Sequence, residues 1–200
     1  MTVLIALTLL TTTHYHAAPA RVGEPAPNFT LPGSDGKAHE LKSDLGHYVV
    51  LEWTNKDCPF VRKHYGSGNM QKTQAAAESM GAVWYSIISS APGMQGYLTR
   101  DEVIAYRKEE GVKSVATLLD PDGAVGHLYG ARSTPDIVII DPKGTIIYSG
   151  AIDNRPTPDP DSLNGATNYA LQALKEAMAG KSVSVPITRS YGCSVKYADE

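Results

Sequence analysis

The chain has 200 residues, 42% of them hydrophobic and 20% charged, and a formal net charge of −3 at pH 7. This length is sufficient for one domain with a substantial core and makes a second domain unexpected. The composition is typical of a globular protein, and the chain has no basic block, so we expect no nucleic-acid partner.

The first 20 residues have a different character from the rest. Residues 3–10 form an apolar run, a polar stretch follows, and Ala18-Pro19-Ala20 offers a small-residue cleavage site, which predicts a signal peptide over residues 1–20. The apolar run is too short to span a bilayer, so no integral membrane segment is expected after leader cleavage. We therefore expect a periplasmic or secreted mature domain, residues 21–200. The run has no Lys or Arg before it, so a frayed, disordered N-terminus or a mis-assigned start is the alternative.

The first half of the mature chain predicts a β-hairpin and then a βαβ unit. The hairpin turns at residues 33–37 and ends in a strand over 39–41. The βαβ unit has strands at 47–53 and 83–88, with a helix between them that begins at Phe60 and is interrupted at 66–68. Because a crossover of this length joins parallel strands, we expect this pair to be parallel.

The second half predicts shorter elements and a final helix. In chain order these are a capping box at 99–102 that opens a helix to Glu110, a strand at 116–119, a helical turn at 125–129, a hairpin of strands 137–140 and 145–148, and an amphipathic helix at 166–178. An extended tail over residues 182–200 carries Cys193.

Cys58 follows the first long strand after a polar turn and directly precedes Pro59. Because proline favours the first helical position, Cys58 is expected at the helix N-cap. The free N–H groups and the helix dipole there lower the pKa of a thiol, so we expect an ionised and reachable nucleophile. Three positively charged residues lie near Cys58 in the sequence, Lys56, Arg62 and Lys63, against one negatively charged residue, Asp57. The alternative is an inert, buried cysteine.

Several segments together carry a family resemblance. They are NFTLPGSDGK, VVLEW before Cys-Pro, STPDIVIIDPKGTIIYSGAID and the tail TRSYGCSVKY. The chain resembles the AhpC/TSA-like redoxin branch of the thioredoxin superfamily, and in particular its peroxiredoxin-like proteins. The resemblance implies an α/β thioredoxin fold, with a central mixed β-sheet flanked by helices and an N-terminal β-hairpin extension. It also implies an oxidoreductase without a cofactor or a metal.

The resemblance carries over to individual positions unevenly. Cys58 matches the attacking cysteine of a C-x-x-C site, but Val61 stands in place of the second cysteine. Thr134 and Pro135 match the family's cis-proline loop, whose backbone edge binds a substrate disulfide. We take both residues, together with Pro59 and Arg132, as candidate substrate-binding residues. The peroxiredoxin motif needs Pro and Thr at positions 51 and 55, where Leu and Asn stand, so the resemblance supports thiol chemistry more strongly than peroxidase chemistry.

Glu52 lies in the first long strand between Leu51 and Trp53. A carboxylate in apolar surroundings has a raised pKa, which suits proton transfer to and from Cys58. The alternative is a structural glutamate paired with a lysine. His64, six residues after Cys58, is expected to be a solvent-facing helix residue and not a metal ligand.

Cys193 is the remaining cysteine, and we hypothesise that the tail folds back so that it pairs with Cys58. In the enzymatic version, Cys58 attacks a protein or small-molecule disulfide or a peroxide, Cys193 resolves the adduct, and an external thiol reductant restores both thiols. In the structural version, the disulfide is a permanent clasp in a non-catalytic binding or scaffold module.

Overall fold

The computed structural model describes residues 19–198, so the predicted signal peptide lies outside the described residues except for its last two positions. The strands are β1 (Thr30–Pro32), β2 (Ala38–Glu40), β3 (Val49–Trp53), β4 (Val83–Ile88), β5 (Ala116–Leu119), β6 (Ser133–Thr134), β7 (Asp136–Ile140), β8 (Ile146–Gly150) and β9 (Cys193–Ser194). The α-helices are α1 (Pro59–Gly66), α2 (Asn69–Ser79), α3 (Arg100–Glu109), α4 (Ala124–Tyr129) and α5 (Tyr169–Met178), and two 3₁₀ helices cover Leu41–Asp44 and Pro160–Leu163.

A five-stranded mixed sheet with the order β5-β4-β3-β7-β8 forms the centre of the molecule. Strand β3 pairs in parallel with β4 and antiparallel with β7, and all five of its residues are buried. This burial explains why four of its five residues are apolar, because a strand covered on both faces needs no polar side. The predicted βαβ unit, the β7–β8 hairpin and the N-terminal β1–β2 hairpin are all confirmed, and with them the thioredoxin fold.

The two faces of the sheet build two separate hydrophobic clusters. Because side chains alternate along a strand, Leu51 and Trp53 enter one cluster, which also contains residues of the N-terminal hairpin and α4. Val50 enters the other cluster together with Cys58 and residues of α1, α2 and α5. Glu52, two residues after Val50, therefore points to the face of the sheet that carries Cys58.

Helix α5 begins three residues later than the sequence predicts. The side chain of Asn168 accepts a hydrogen bond from Leu171 N and forms the N-cap, which shortens the helix. Its buried residues are Ala170, Ala173 and Leu174. The capping box of Thr99 and Glu102 is confirmed. Within residues 19–198, every helix is too short or too polar to cross a bilayer.

Candidate active site

Cys58 occupies the N-cap of α1 in an extended conformation, with Pro59 at the first helical position, as the sequence predicts. Its exposure differs from the prediction, because the exposed fraction of Cys58 is 0%. The sulfur is closed in by the cis-proline loop on one side and by the C-terminal tail on the other. The expectation of a directly reachable nucleophile is therefore wrong for this conformation.

The cis-proline loop lies against the sulfur. The peptide bond between Thr134 and Pro135 is cis, and Cys58 Sγ donates a hydrogen bond to the carbonyl oxygen of Thr134 at 3.1 Å. Thr134 and Pro135 are buried, whereas Pro59 and Arg132, the other two candidate substrate-binding residues, are exposed. The structure thus places Thr134 in direct contact with Cys58.

The tail folds back over the same loop. Strand β9 pairs antiparallel with β6, so Cys193 lies opposite Thr134 and Ser194 lies opposite Ser133. The backbone N–H of Cys193 donates to Cys58 Sγ at 3.4 Å, although the two cysteines are 135 residues apart in the chain. Both are free thiols. The tail therefore occupies the backbone edge that the resemblance assigns to a substrate.

The part of the tail that covers Cys58 is held at both of its ends. Upstream, the Thr188 hydroxyl accepts a hydrogen bond from Ala151 N at 2.8 Å. Downstream, Val195 and Tyr197 are buried in the core, and Val195 N donates to Arg132 O at 3.1 Å. Residues 189–194, here called the cover segment, lie between these two anchors.

Gly192 allows the cover segment to approach the loop closely. A Cβ atom at this position would lie 2.0 Å from the carbonyl oxygen of Thr134, well inside van der Waals contact. The φ angle of Gly192 is +125°, a conformation that other residues rarely adopt. A glycine is therefore required directly before Cys193.

The two thiols have pKa values shifted in opposite directions. Burial acts to raise the pKa of Cys58, but hydrogen bonds from the Cys193 thiol, from Thr134 and from the Cys193 backbone outweigh it and hold the pKa below its ordinary value. Burial raises the pKa of Cys193 to about 11, and the neighbouring Cys58 sulfur adds to this rise. The site therefore ionises at Cys58 first, and the predicted thiolate character follows from hydrogen bonds rather than from nearby cations.

Two of the three cations expected near Cys58 are engaged with other groups. Lys56 Nζ pairs with Asp57 at 2.7 Å. Lys63 is 2% exposed, donates to the carbonyl oxygen of Arg155 at 2.7 Å and lies 3.7 Å from Asp153. The largest causes of the shift in the pKa of Cys58 are burial and hydrogen bonds.

His64 is fully buried, so the prediction of a solvent-facing histidine is wrong. Its Nδ1 lies 2.7 Å from Asn69 Nδ2 and its Nε2 lies 3.3 Å from the hydroxyl of Tyr191. Burial lowers the pKa of His64 to about 4, so the ring is neutral at pH 7. Tyr191 also donates to Asp153, which links the cover segment to the buried Lys63–Asp153 pair.

Glu52 is fully buried in the middle of β3. Four side chains donate hydrogen bonds to its carboxylate: Tyr65 Oη at 2.8 Å, Gln74 Nε2 at 2.9 Å, Trp84 Nε1 at 2.8 Å and Ser86 Oγ at 3.2 Å. Burial raises its pKa, and the four donors only partly offset that effect. Within residues 19–198, Glu52 makes no hydrogen bond to Cys58, so proton transfer between them would need an intermediate carrier.

Asp136 and Asp153 are buried acids at the site that the sequence did not single out. Asp136 directly follows Pro135. Burial raises the pKa of Asp136 to about 7, although hydrogen bonds from Arg132 N and the Ser190 side chain act to lower it. Both acids contact the cover segment, through Ser190 and Tyr191 respectively. Asp136 directly precedes one predicted strand and Asp153 follows the next, and neither position indicates these contacts, because they depend on how the tail docks.

Comparison with known proteins agrees with this architecture. The chain is 29% identical over 140 residues to the thiol:disulfide interchange protein DsbE of Escherichia coli K12, which covers 68% of this chain and 69% of that protein. A hypothetical protein from Sinorhizobium meliloti 1021 superposes with a TM-score of 0.76 at 23% identity, covering 90% of this chain and 96% of the other. An uncharacterized conserved protein from Geobacillus kaustophilus gives 0.75 at 22% identity, covering 90% and 94%.

These structural similarities extend beyond the region that identifies the family. The superpositions cover 90% of the chain and support the thioredoxin fold. The sequence model of the AhpC/TSA family matches residues 22–149, which include Cys58, Glu52 and the cis-proline loop. The chain therefore belongs to the AhpC/TSA family.

Proposed function

We propose that this protein is a thiol–disulfide oxidoreductase whose redox couple is Cys58 and Cys193. The observation that carries the proposal is the position of Cys193 across the β6–β9 ladder, where its backbone N–H contacts the Cys58 sulfur. The name of the Escherichia coli relative, a thiol:disulfide interchange protein, supports the same activity. The substrates are then protein or small-molecule disulfides, and the electrons come from an external thiol reductant.

The reaction consists of two exchanges. The Cys58 thiolate attacks one sulfur of a substrate disulfide, forms a mixed disulfide and releases the first substrate thiolate. Cys193 then loses its proton and attacks the Cys58 sulfur, which releases the second thiolate and leaves the Cys58–Cys193 disulfide. The substrate disulfide is reduced to two thiols while the protein dithiol is oxidised.

The order of the two attacks follows from the acidity of the thiols. At neutral pH the thiolate population is larger on Cys58, whose pKa is lowered, than on Cys193, whose pKa is about 11. Since the thiolate is the nucleophile, Cys58 makes the first attack and Cys193 acts as the resolving cysteine. Glu52 is proposed as a proton reservoir for these steps, acting through water because it does not contact Cys58.

Access to Cys58 requires movement of the cover segment. Cys58 is 0% exposed and Thr134 is already paired with Cys193, so a substrate strand and the tail compete for one edge. The cover segment can separate from the loop while its two anchors remain in place. Pro59, Arg132 and Pro135 then frame the opened site as substrate-binding residues.

Peroxide reduction by Cys58 is the second candidate reaction, supported by membership of the AhpC/TSA family. A periplasmic or secreted location accompanies both candidates, because a long-range cysteine pair can be oxidised and kept so there.

Intact mass measurement separates these possibilities. The reduced protein and its Cys58→Ser and Cys193→Ser variants are treated with an oxidised dithiol or with peroxide. A mixed disulfide trapped on Cys58 in Cys193→Ser supports disulfide exchange, and a sulfenic acid at the same position supports peroxidase activity. A Cys58–Cys193 reduction potential well below about −300 mV would contradict an active couple and indicate a permanent clasp.

A further inference from the structure

A cleft of about 490 Å³ opens beside the redox couple. Its walls come from the cover segment, from the residue before Thr134 and from the loop after Asp153. The lining residues are Ser133, Pro156, Arg189, Ser190, Tyr191 and Gly192. Gly192 is bonded to Cys193, whose backbone N–H contacts the Cys58 sulfur. The cleft therefore ends one residue before Cys193 and is lined by the segment that covers Cys58.

Two hydrogen-bond donors of the cleft are unused. Arg189 is exposed, and within residues 19–198 its guanidinium has no hydrogen-bond or ion-pair partner. The hydroxyl oxygen of Ser133 is buried and also lacks a partner. Ser133 as a whole is 8% exposed, so its unpaired hydroxyl sits where a lost hydrogen bond is costly. A ligand group in the cleft that accepts from Arg189 would pair a donor that the described residues leave free.

The fixed charge of the cleft is positive, although the chain carries a net charge of −3. Arg189 is the charged lining residue, and none of the other five is acidic. Two carboxyl groups that contact the lining residues, those of Asp136 and Asp153, are buried. Asp153 is bound by Tyr191 and paired with Lys63, and Asp136, whose pKa is raised to about 7, is bound by Ser190. The cleft therefore favours a carboxylate, which Arg binds in a two-pronged geometry.

We propose that this cleft binds the carboxylate of a low-molecular-weight disulfide and so selects acidic disulfides as substrates. The inference rests on the proposed function and defines its substrate class. The carboxylate takes no part in the chemistry. After the middle of the cover segment has moved off Cys58, this thiolate attacks the disulfide sulfur, and Cys193 then displaces the second substrate thiolate. Arg189 follows the anchored Thr188 and holds the acid group through both steps.

Three disulfides of similar length and different charge test the proposal. They are 3,3′-dithiodipropionate with two carboxylates, bis(2-hydroxyethyl) disulfide without charge, and cystamine with two ammonium groups. Oxidation of the reduced protein to the Cys58–Cys193 disulfide is followed by intact mass at pH 7 and low salt. We expect the dianion to react about tenfold faster than the neutral compound, with cystamine slowest, because a charge-assisted hydrogen bond contributes about that much.

Variants assign the preference to the cleft. Arg189→Gln is expected to raise about tenfold the concentration of the dianion that gives half of the maximal oxidation rate. The maximal rate and the reaction with the neutral disulfide should stay nearly unchanged. Ser133→Ala is expected to have a smaller effect in the same direction. Arg21→Gln is the matched control, because Arg21 is also exposed but does not line the cleft. Gly23, two residues later, donates a backbone hydrogen bond to Ile146 at the start of β8.

The outcomes separate this inference from the proposed function. If the neutral and dianionic disulfides react equally, or if their ratio is unchanged in Arg189→Gln, the inference is overturned while the oxidoreductase proposal stands. If none of the three compounds oxidises the protein to the internal disulfide, the proposed function itself fails and the inference fails with it.

Discussion

Cys193 lies opposite Thr134 in the β6–β9 ladder, and the same Thr134 carbonyl accepts the hydrogen bond of Cys58. One residue of the cis-proline loop therefore holds both cysteines of the proposed couple. In a C-x-x-C site, the second cysteine comes from the helix turn that carries the first. Here Val61 fills that position in the core, and the tail supplies the sulfur from outside the helix.

Gly192→Ala is expected to lift the cover segment from the loop, because the added Cβ would collide with the carbonyl oxygen of Thr134. Cys58 should then react faster with a bulky maleimide, by about tenfold or more, since it is fully covered in the parent protein. The measurement is the labelling rate of Cys58, resolved from that of Cys193 by peptide mass. Gly165→Ala is the control, because its φ angle is also positive but its Cβ would meet no atom within 4 Å. Equal labelling rates in the parent, Gly192→Ala and the control would contradict the role of the cover segment.

The thiol pKa values should respond to substitution of the partner cysteine. Cys193→Ala removes a hydrogen-bond donor to the Cys58 thiolate and should raise the pKa of Cys58, whereas Cys193→Ser keeps a hydroxyl donor and should change it less. In the reverse direction, Cys58→Ser should lower the pKa of Cys193 from about 11. Thiolate absorbance against pH measures each value in the single-cysteine proteins. A Cys58 pKa that is the same in the Ala and Ser variants would show that the Cys193 thiol is not the donor.

Lys63→Met should destabilise the protein by about 3–5 kcal/mol, since it leaves the buried Asp153 carboxylate without its cation. The double variant Lys63→Met/Asp153→Asn should recover part of that loss because the orphaned charge is removed. Urea unfolding gives the free energies, and Lys72→Met, at an exposed position of α2, is the control and should fall within about 0.5 kcal/mol of the parent. If the free energy of unfolding of Lys63→Met fell no further than that of Lys72→Met, the Lys63–Asp153 pair would not be required for stability.

The free energy of unfolding should depend on pH because of the titration of Asp136. Its folded pKa of about 7 lies above the ordinary value of 3.8, so the folded state binds a proton more tightly than the unfolded state. The stability gained from the protonated form is present below pH 3.8 and is lost as the pH rises to about 7. The free energy of unfolding of Asp136→Asn, measured relative to that of the parent, should therefore increase by roughly 2–4 kcal/mol as the pH rises from 4 to 8. Urea unfolding across this range measures the difference, which should be constant if Asp136 does not titrate there.

The fold could be predicted from the sequence because its signals are local. The apolar run of β3, the proline after Cys58, the capping box at Thr99 and the turn between β7 and β8 each determine nearby backbone. The site was less predictable because its geometry depends on contacts between distant segments. The burial of Cys58 and His64 and the four donors around Glu52 follow from how the tail, α1 and α2 pack, and no local pattern encodes that packing.

The separation of 135 positions between the two cysteines has a consequence for quality control in the cell. A C-x-x-C pair keeps its sulfurs close together even in a denatured chain, which can go on exchanging disulfides with whatever it meets. In this protein the sulfurs meet only after the whole sheet and the tail are assembled. Misfolded or partly synthesised copies would therefore lack the proposed couple, and under that proposal redox activity would require a completely folded chain.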